Sequence, residues 1–184
     1  MNNLLINDEH IKSMSEKKND DFNVKKLLNN FELTQSQSIR FGKVFESFVK
    51  NLVKSKNLKL INEELVDVFN TGSKTNKGKK DIDICFIKDD TIFYFECKIN
   101  LKLDSEKSKV TDDKVCNITN FLINENKSSK VFSGILTGWY ERENGMPTHL
   151  KTNVVFMSEL FSILGIETTK EEYYKLMNDF GKLI

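Results

Sequence analysis

From Gln35 to Lys54 the apolar residues Phe41, Val44, Phe45, Phe48 and Leu52 recur at three- and four-residue intervals, marking one face of an amphipathic helix. Thr34 or Ser36 is placed to cap it. Ahead of it, residues 1 to about 30 are rich in Asn, Asp, Lys and Ser, with a weak helical pattern at Val24, Leu27 and Leu28. They read as a lead-in with a short helix, and residues 31–184 as one domain. After the helix, Leu58 to Ile61 reads as a short strand and 71–80 as a polar loop holding Lys74, Lys77, Lys79 and Lys80. Two apolar runs follow, Asp81 to Ile87 and Thr91 to Leu101, rich in Ile, Phe and Tyr and separated by Lys88, Asp89 and Asp90; they predict a hairpin. Asp104 or Ser105 opens a second helix carrying Val110, Val115, Ile118, Phe121 and Leu122. Lys130 to Leu136 and Asn153 to Met157 predict further strands, and helices from about Ser158 and Lys170 close the chain. This order implies an α/β fold with a central mixed β-sheet flanked by helices.

The hairpin carries the candidate chemistry. A two-residue turn at Asp89-Asp90 puts Lys88 opposite Thr91 and, by continuation, Asp83 opposite Glu96 and Asp81 opposite Lys98. Side chains alternate along a strand, so Asp81, Asp83, Glu96 and Lys98 are expected on one face and Ile82, Ile84, Phe86, Phe93, Phe95 and Cys97 on the other. Directly opposed Cβ atoms lie roughly 4.5–5.5 Å apart, close enough for two carboxylates to share one divalent cation. Without a cation they repel each other. Mg²⁺, which prefers oxygen ligands and uses one or two carboxylates while keeping several waters, suits the pair and suits phosphate chemistry. The same four residues would also make an ordinary charge ladder on a solvent-facing sheet. Against that stand the strand interiors Ile84-Cys85-Phe86-Ile87 and Ile92-Phe93-Tyr94-Phe95, which read as strands covered on both faces.

Composition narrows the picture without deciding it. The 184 residues, 39% hydrophobic and 30% charged, suit one folded domain. A formal charge of +1 is no nucleic-acid signal in itself, so affinity for DNA would depend on where the lysines lie. Cys85, Cys97 and Cys116 are odd in number and lack a paired C-x-x-C spacing, which speaks against a disulfide framework or a structural zinc site. No apolar run approaches a membrane span and no signal-peptide pattern opens the chain, so the cytoplasm is the expected compartment.

Ile82-Asp83, followed thirteen positions on by Glu96-Cys97-Lys98, resembles the PD-(D/E)XK nuclease signature, with Ile82 in the place of the proline. From Gly78 to Lys107 the segment is similar to bacterial Type II restriction endonucleases. The resemblance spans roughly residues 35 to 107 and implies a restriction-endonuclease-like core, in which a helix precedes three strands, then a helix and another strand. It implies Mg²⁺, with Mn²⁺ as a substitute, held by Asp83, Glu96 and the backbone carbonyl of Cys97. Lys98 would be the catalytic lysine and Glu46, on the preceding helix, an accessory carboxylate. Asp81 competes with Asp83 for the place of the motif acid. Implied partners are double-stranded DNA, a second copy in a homodimer, and a cognate DNA methyltransferase.

Lys74, Lys77, Lys79 and Lys80, just before the hairpin, and Lys107 after it are candidates for the DNA backbone. A solvated charged surface is the alternative for all of them, as it is for Lys102, Lys109 and Lys114. Trp139, Tyr140 and Arg142 are placed to reach base edges, or, for Trp139, to cap the core. His10 and His149 fit no phospholipase D-like, HNH or zinc-hydrolase pattern and read as surface residues. Two rival readings remain, a repair or junction-resolving nuclease of the same core, and a non-catalytic DNA-binding protein.

Overall fold

The computed structural model describes residues 27–28, 34–61, 79–99, 101, 103–126, 130–143, 146 and 150–182. Helix α1 (Gln35–Ser55) is followed by strands β1 (Ile84–Lys88) and β2 (Thr91–Cys97), helix α2 (Ser105–Glu125), strands β3 (Lys130–Leu136) and β4 (Val154–Val155), and helices α3 (Met157–Leu164) and α4 (Lys170–Lys182). The four strands form one mixed sheet in the order β1-β2-β3-β4, antiparallel between β1 and β2 and parallel thereafter. The expected α/β class with helices flanking a mixed sheet is what the chain adopts.

The hairpin register follows from its turn. Asp89 and Asp90 both take positive φ, 48° and 58°, the left-handed pair that matches the twist of the flanking strands in a two-residue turn. Lys88 then pairs with Thr91 and Ile84 with Phe95. Leu60 bridges Phe86 on the outer side of β1 and Ile61 N–H donates to Cys85 O at 2.8 Å, so the expected strand at 58–61 is reduced to one bridge.

Both faces of the sheet are covered, which accounts for the nearly unbroken apolar runs of β1 and β2. On one face Ile84, Phe86, Phe95 and Cys97 pack against Phe41, Phe45, Phe48 and Leu52 of α1, with α3 and α4 extending the same cluster. Leu27 and Leu28, from the end of the lead-in, are buried there too. On the other face Cys85, Ile92, Tyr94 and Ile135 pack against Val115, Ile118 and Leu122 of α2. α1 opens with a capping box in which Thr34 accepts from Gln37 N–H and Gln37 returns a bond to Thr34 N–H. Asp104 caps α2 by accepting from Lys107 N–H at 2.8 Å.

Four expectations change. Ile82 belongs to the α2 face rather than the α1 face, because the ladder stops at Ile84 and strict alternation stops with it. Val110 is 60% exposed, and the inward positions of the first turns of α2 fall to Ser108 and Thr111. Strand β4 is only Val154–Val155, since Met157 already begins a helix. Of the two readings of Trp139 the core one holds, since it is buried there, and Tyr140 does not face outward as a base reader but donates to Thr168 O at 2.9 Å within a cluster of rings from α3 and α4.

Because Asp is only tolerated at left-handed φ, replacing Asp89-Asp90 by Asn-Gly (Asp89→Asn with Asp90→Gly) is expected to stabilise the fold by about 1 kcal/mol. Urea unfolding of the two proteins measures it, and a loss of stability would contradict the turn geometry.

Candidate metal centre

Glu96 lies in β2 on the α2 face, beside Tyr94, and is 2% exposed. Asp83 sits one residue before β1, where the chain bends out of the ladder. Its Oδ2 accepts the backbone N–H of Cys97 at 2.9 Å, so a side chain continues the pairing that the backbone has abandoned and fixes Asp83 beside the end of β2. Lys98 N–H donates the other way, to Leu136 O of β3 at 2.9 Å, and its Nζ returns to Glu96 Oε1 at 2.7 Å.

α2 supplies a fourth group. Lys114 Nζ lies 2.5 Å from Glu96 Oε2 and 3.5 Å from Asp83 Oδ1. One ammonium therefore spans both carboxylates while a second holds the free oxygen of Glu96. Tyr94 Oη donates to Glu96 Oε2 from beneath at 3.5 Å.

The two acids differ in their ease of ionisation. Burial, then the charge of Glu96, pushes Asp83 up from 3.8 to about 6, with Glu46 adding to the rise and Lys114 and the Cys97 N–H opposing it. Burial would also push Glu96 up, but the charges and hydrogen bonds of Lys98 and Lys114 outweigh it and hold the group below its ordinary value. Burial alone would lower Lys114, yet its two carboxylate partners hold it above the usual lysine value. Glu96 is the firmly charged member of the pair and Asp83 the strained one.

The structure thus brings Asp83, Glu96 and Lys98 together. Glu46, half-buried on α1, acts electrostatically on both Asp83 and Cys97. Among the described residues, however, no three His, Cys, Asp or Glu side chains converge as a ligand set, so Glu46 stands off from the pair. Asp81 is exposed and forms no ion pair with Lys98, which turns to Glu96 instead. Cys97 meets the site through its N–H, while its thiol packs toward α1. Lys79 and Lys80 are half-buried ahead of Asp81, and Lys107 is bound to Asp104 at 3.0 Å. Lys74, Lys77, His10 and His149 lie outside the described residues.

Lys114, read from the sequence only as a solvated or DNA-contacting surface lysine, is instead 19% exposed and bound between the two acids, and Thr137 was not singled out. Lys114 follows Thr111 by three positions and precedes Ile118 by four, so it shares their inward stripe; its helix periodicity was the available signal. Thr137 extends β3 beyond Leu136, its N–H donating to Val155 O at 3.0 Å. Its buried hydroxyl has no hydrogen-bond partner among the described residues, and no pattern in the sequence marks it.

No protein-family model matches the chain, and no curated protein matches it. The case for the site therefore rests on its chemistry. Two carboxylate oxygens from neighbouring segments already converge on one cationic atom, Lys114 Nζ. That oxygen pair fits a divalent ion such as Mg²⁺, which needs only one or two carboxylates and completes its shell with water.

The charge on Asp83 weighs against the metal-free fold. Its raised value means no penalty below about pH 4, and a loss of stability as pH rises from there to about 6. Asp83→Asn keeps an acceptor for Cys97 N–H without the charge. It is expected to be more stable than the native chain by about 1–3 kcal/mol above pH 6, the gain vanishing below pH 4. Urea unfolding of metal-free protein at both pH values reads this directly; equal stabilities would remove the burial penalty from the account.

Proposed function

We propose that the chain is a Mg²⁺-dependent endonuclease of the PD-(D/E)XK type that hydrolyses phosphodiester bonds of double-stranded DNA, and more narrowly a sequence-specific Type II restriction enzyme. The observation that carries the proposal is the convergence of Asp83 and Glu96 on one cationic atom with Lys98 alongside, at distances of 3.5, 2.5 and 2.7 Å. Asp83 and Glu96 would hold the ion, with the Cys97 carbonyl as a further oxygen, Mn²⁺ as a substitute and Glu46 as an accessory charge. When bound, the ion supplies Lewis acidity toward water and the phosphoryl oxygen.

The chain's own groups carry the rest. Lys98 Nζ, on the same face as Glu96, orients the attacking water and offsets the negative charge that builds on the phosphate as the new P–O bond forms and the sugar oxygen leaves. Burial of Glu96 lowers the local dielectric, so each of these charges acts more strongly than it would in bulk water. Lys79, Lys80 and Lys107, with Lys74 and Lys77, would track the backbone of the duplex. A homodimer would place two such sites on two strands, and a methyltransferase of matching specificity would protect the host sites.

One observation favours a second reading. The two carboxylates are already balanced by two ammoniums, which suits a non-catalytic DNA-binding protein whose ion pairs only hold the sheet to α2. Titration with Mg²⁺ separates the two, since such a network takes up no ion.

With unmethylated plasmid DNA and Mg²⁺, the native chain is expected to give discrete cuts. Glu96→Ala and Lys98→Ala are each expected to lower the rate at least about a hundred-fold. Undiminished cutting by both variants, scored on agarose gels, would refute the assignment.

A further inference from the structure

Lys114 Nζ stands within 2.5 Å of Glu96 Oε2 and 3.5 Å of Asp83 Oδ1. Asp83 and Glu96 are the residues that would hold a divalent ion in the proposed reading. We infer that Lys114 is a resident counter-ion at the cation position, so that a divalent ion enters this site only by displacing the ammonium. The inference rests on the metal-binding part of the proposed function and adds a residue to it.

Charge balance is the first reason. Asp83, Glu96, Lys98 and Lys114 together are formally neutral, so a dication arriving with both lysines seated meets no net negative charge and lies against an ammonium. Selective placement is the second. Lys98 touches only Glu96, whereas Lys114 is the group that spans both acids, so the two lysines are not equivalent competitors. The third reason is mechanical. Lys114 reaches the pair from α2 on a four-carbon stem with 19% of its side chain exposed, so its head can swing to solvent without moving the helix. Lys98 has the more exposed side chain, 33% against 19%, so the bridging position of Lys114, and not a greater freedom to move, is what sets the two apart.

A displaced Lys114 would retain its charge at the mouth of the site and need a new anion. A phosphate of the bound duplex is the chemistry at hand. Metal and DNA would then favour each other's binding, the ion vacating the ammonium and the phosphate receiving it.

The test is titration of the full chain with Mn²⁺ alone at pH 8, by calorimetry, for the native protein and for Lys114→Met, Lys114→Arg and Lys98→Met. Lys114→Met is expected to bind Mn²⁺ about ten-fold or more tightly than the native chain, and Lys98→Met to change affinity less. Lys114→Arg, which keeps the charge, is expected to stay within a few-fold of native. Should Lys114→Met be unfolded without metal, Mn²⁺ is expected to restore a cooperative thermal transition, and failure to do so counts against the inference. Native-like or weaker binding by Lys114→Met, with clear binding by the native chain, overturns the counter-ion role and leaves the nuclease reading standing. Absence of Mn²⁺ binding in every variant removes both.

Discussion

Two carboxylates held side by side in the shelter of a sheet repel each other, and that repulsion organises this molecule. Glu96 is almost wholly buried and Asp83 nearly so. Like charges opposed across a hairpin destabilise it, and burial adds to the cost. The chain answers with two ammoniums from different directions, Lys98 from the end of β2 and Lys114 from α2. A sheet position chosen for stability alone would carry apolar residues, as the neighbouring Tyr94 and Ile92 do. Removing Glu96, the acid that both lysines hold in its charged form, would leave buried charge uncompensated, so the arrangement is costly to keep and, at that position, costly to disturb. An arrangement of that cost calls for a use.

The geometry of that use descends from the turn. Left-handed φ at Asp89 and Asp90 sets the two-residue loop, the loop sets the register, and the register decides that position 96 faces α2 and position 97 faces α1. A slip of one residue would turn Glu96 toward the apolar cluster of Phe41, Phe45 and Phe48. Parallel pairing of β2 with β3 then brings the carboxyl ends of both strands to the same edge. Glu96, Lys98 and Thr137 all gather there. In open α/β sheets that edge is the habitual place for ligands, because the strands end while the covering helices have only begun.

Much of this was legible in the residues. Alternation and turn length, both local rules, were enough to bring Asp83 to the same end of the hairpin as Glu96, although the paired ladder itself runs only from Ile84↔Phe95 to Lys88↔Thr91 and leaves Asp83 just outside it. The α1 face was legible for the same reason: Phe41, Val44, Phe45, Phe48 and Leu52 are all buried as their spacing requires. The failures occur where local rules give way to tertiary ones. Ile82 leaves its expected face because a side-chain acceptor, Asp83, replaces the backbone ladder. On α2 the inward positions near the site are Ser108, Thr111 and Lys114, so a stripe sought by apolarity drifts onto Val110, which is exposed. A helix that lines a charged site cannot show the hydrophobic period of one that lines a core.

The same contrast bears on the choice between Asp81 and Asp83, which spacing alone leaves open. In the proposed reading the motif acid would share an ion with Glu96, and would therefore be held against the end of β2 and kept from water. Asp83 has both properties: the Cys97 N–H fixes one oxygen, Lys114 meets the other, and burial raises its pKa to about 6. Asp81 is exposed and joins none of these contacts. An exposed carboxylate two residues away loses nothing by facing water and gains nothing by facing Glu96. Burial and the neighbouring Glu96 charge raise the pKa of Asp83, and a bound dication would oppose both effects by favouring the charged form of each acid.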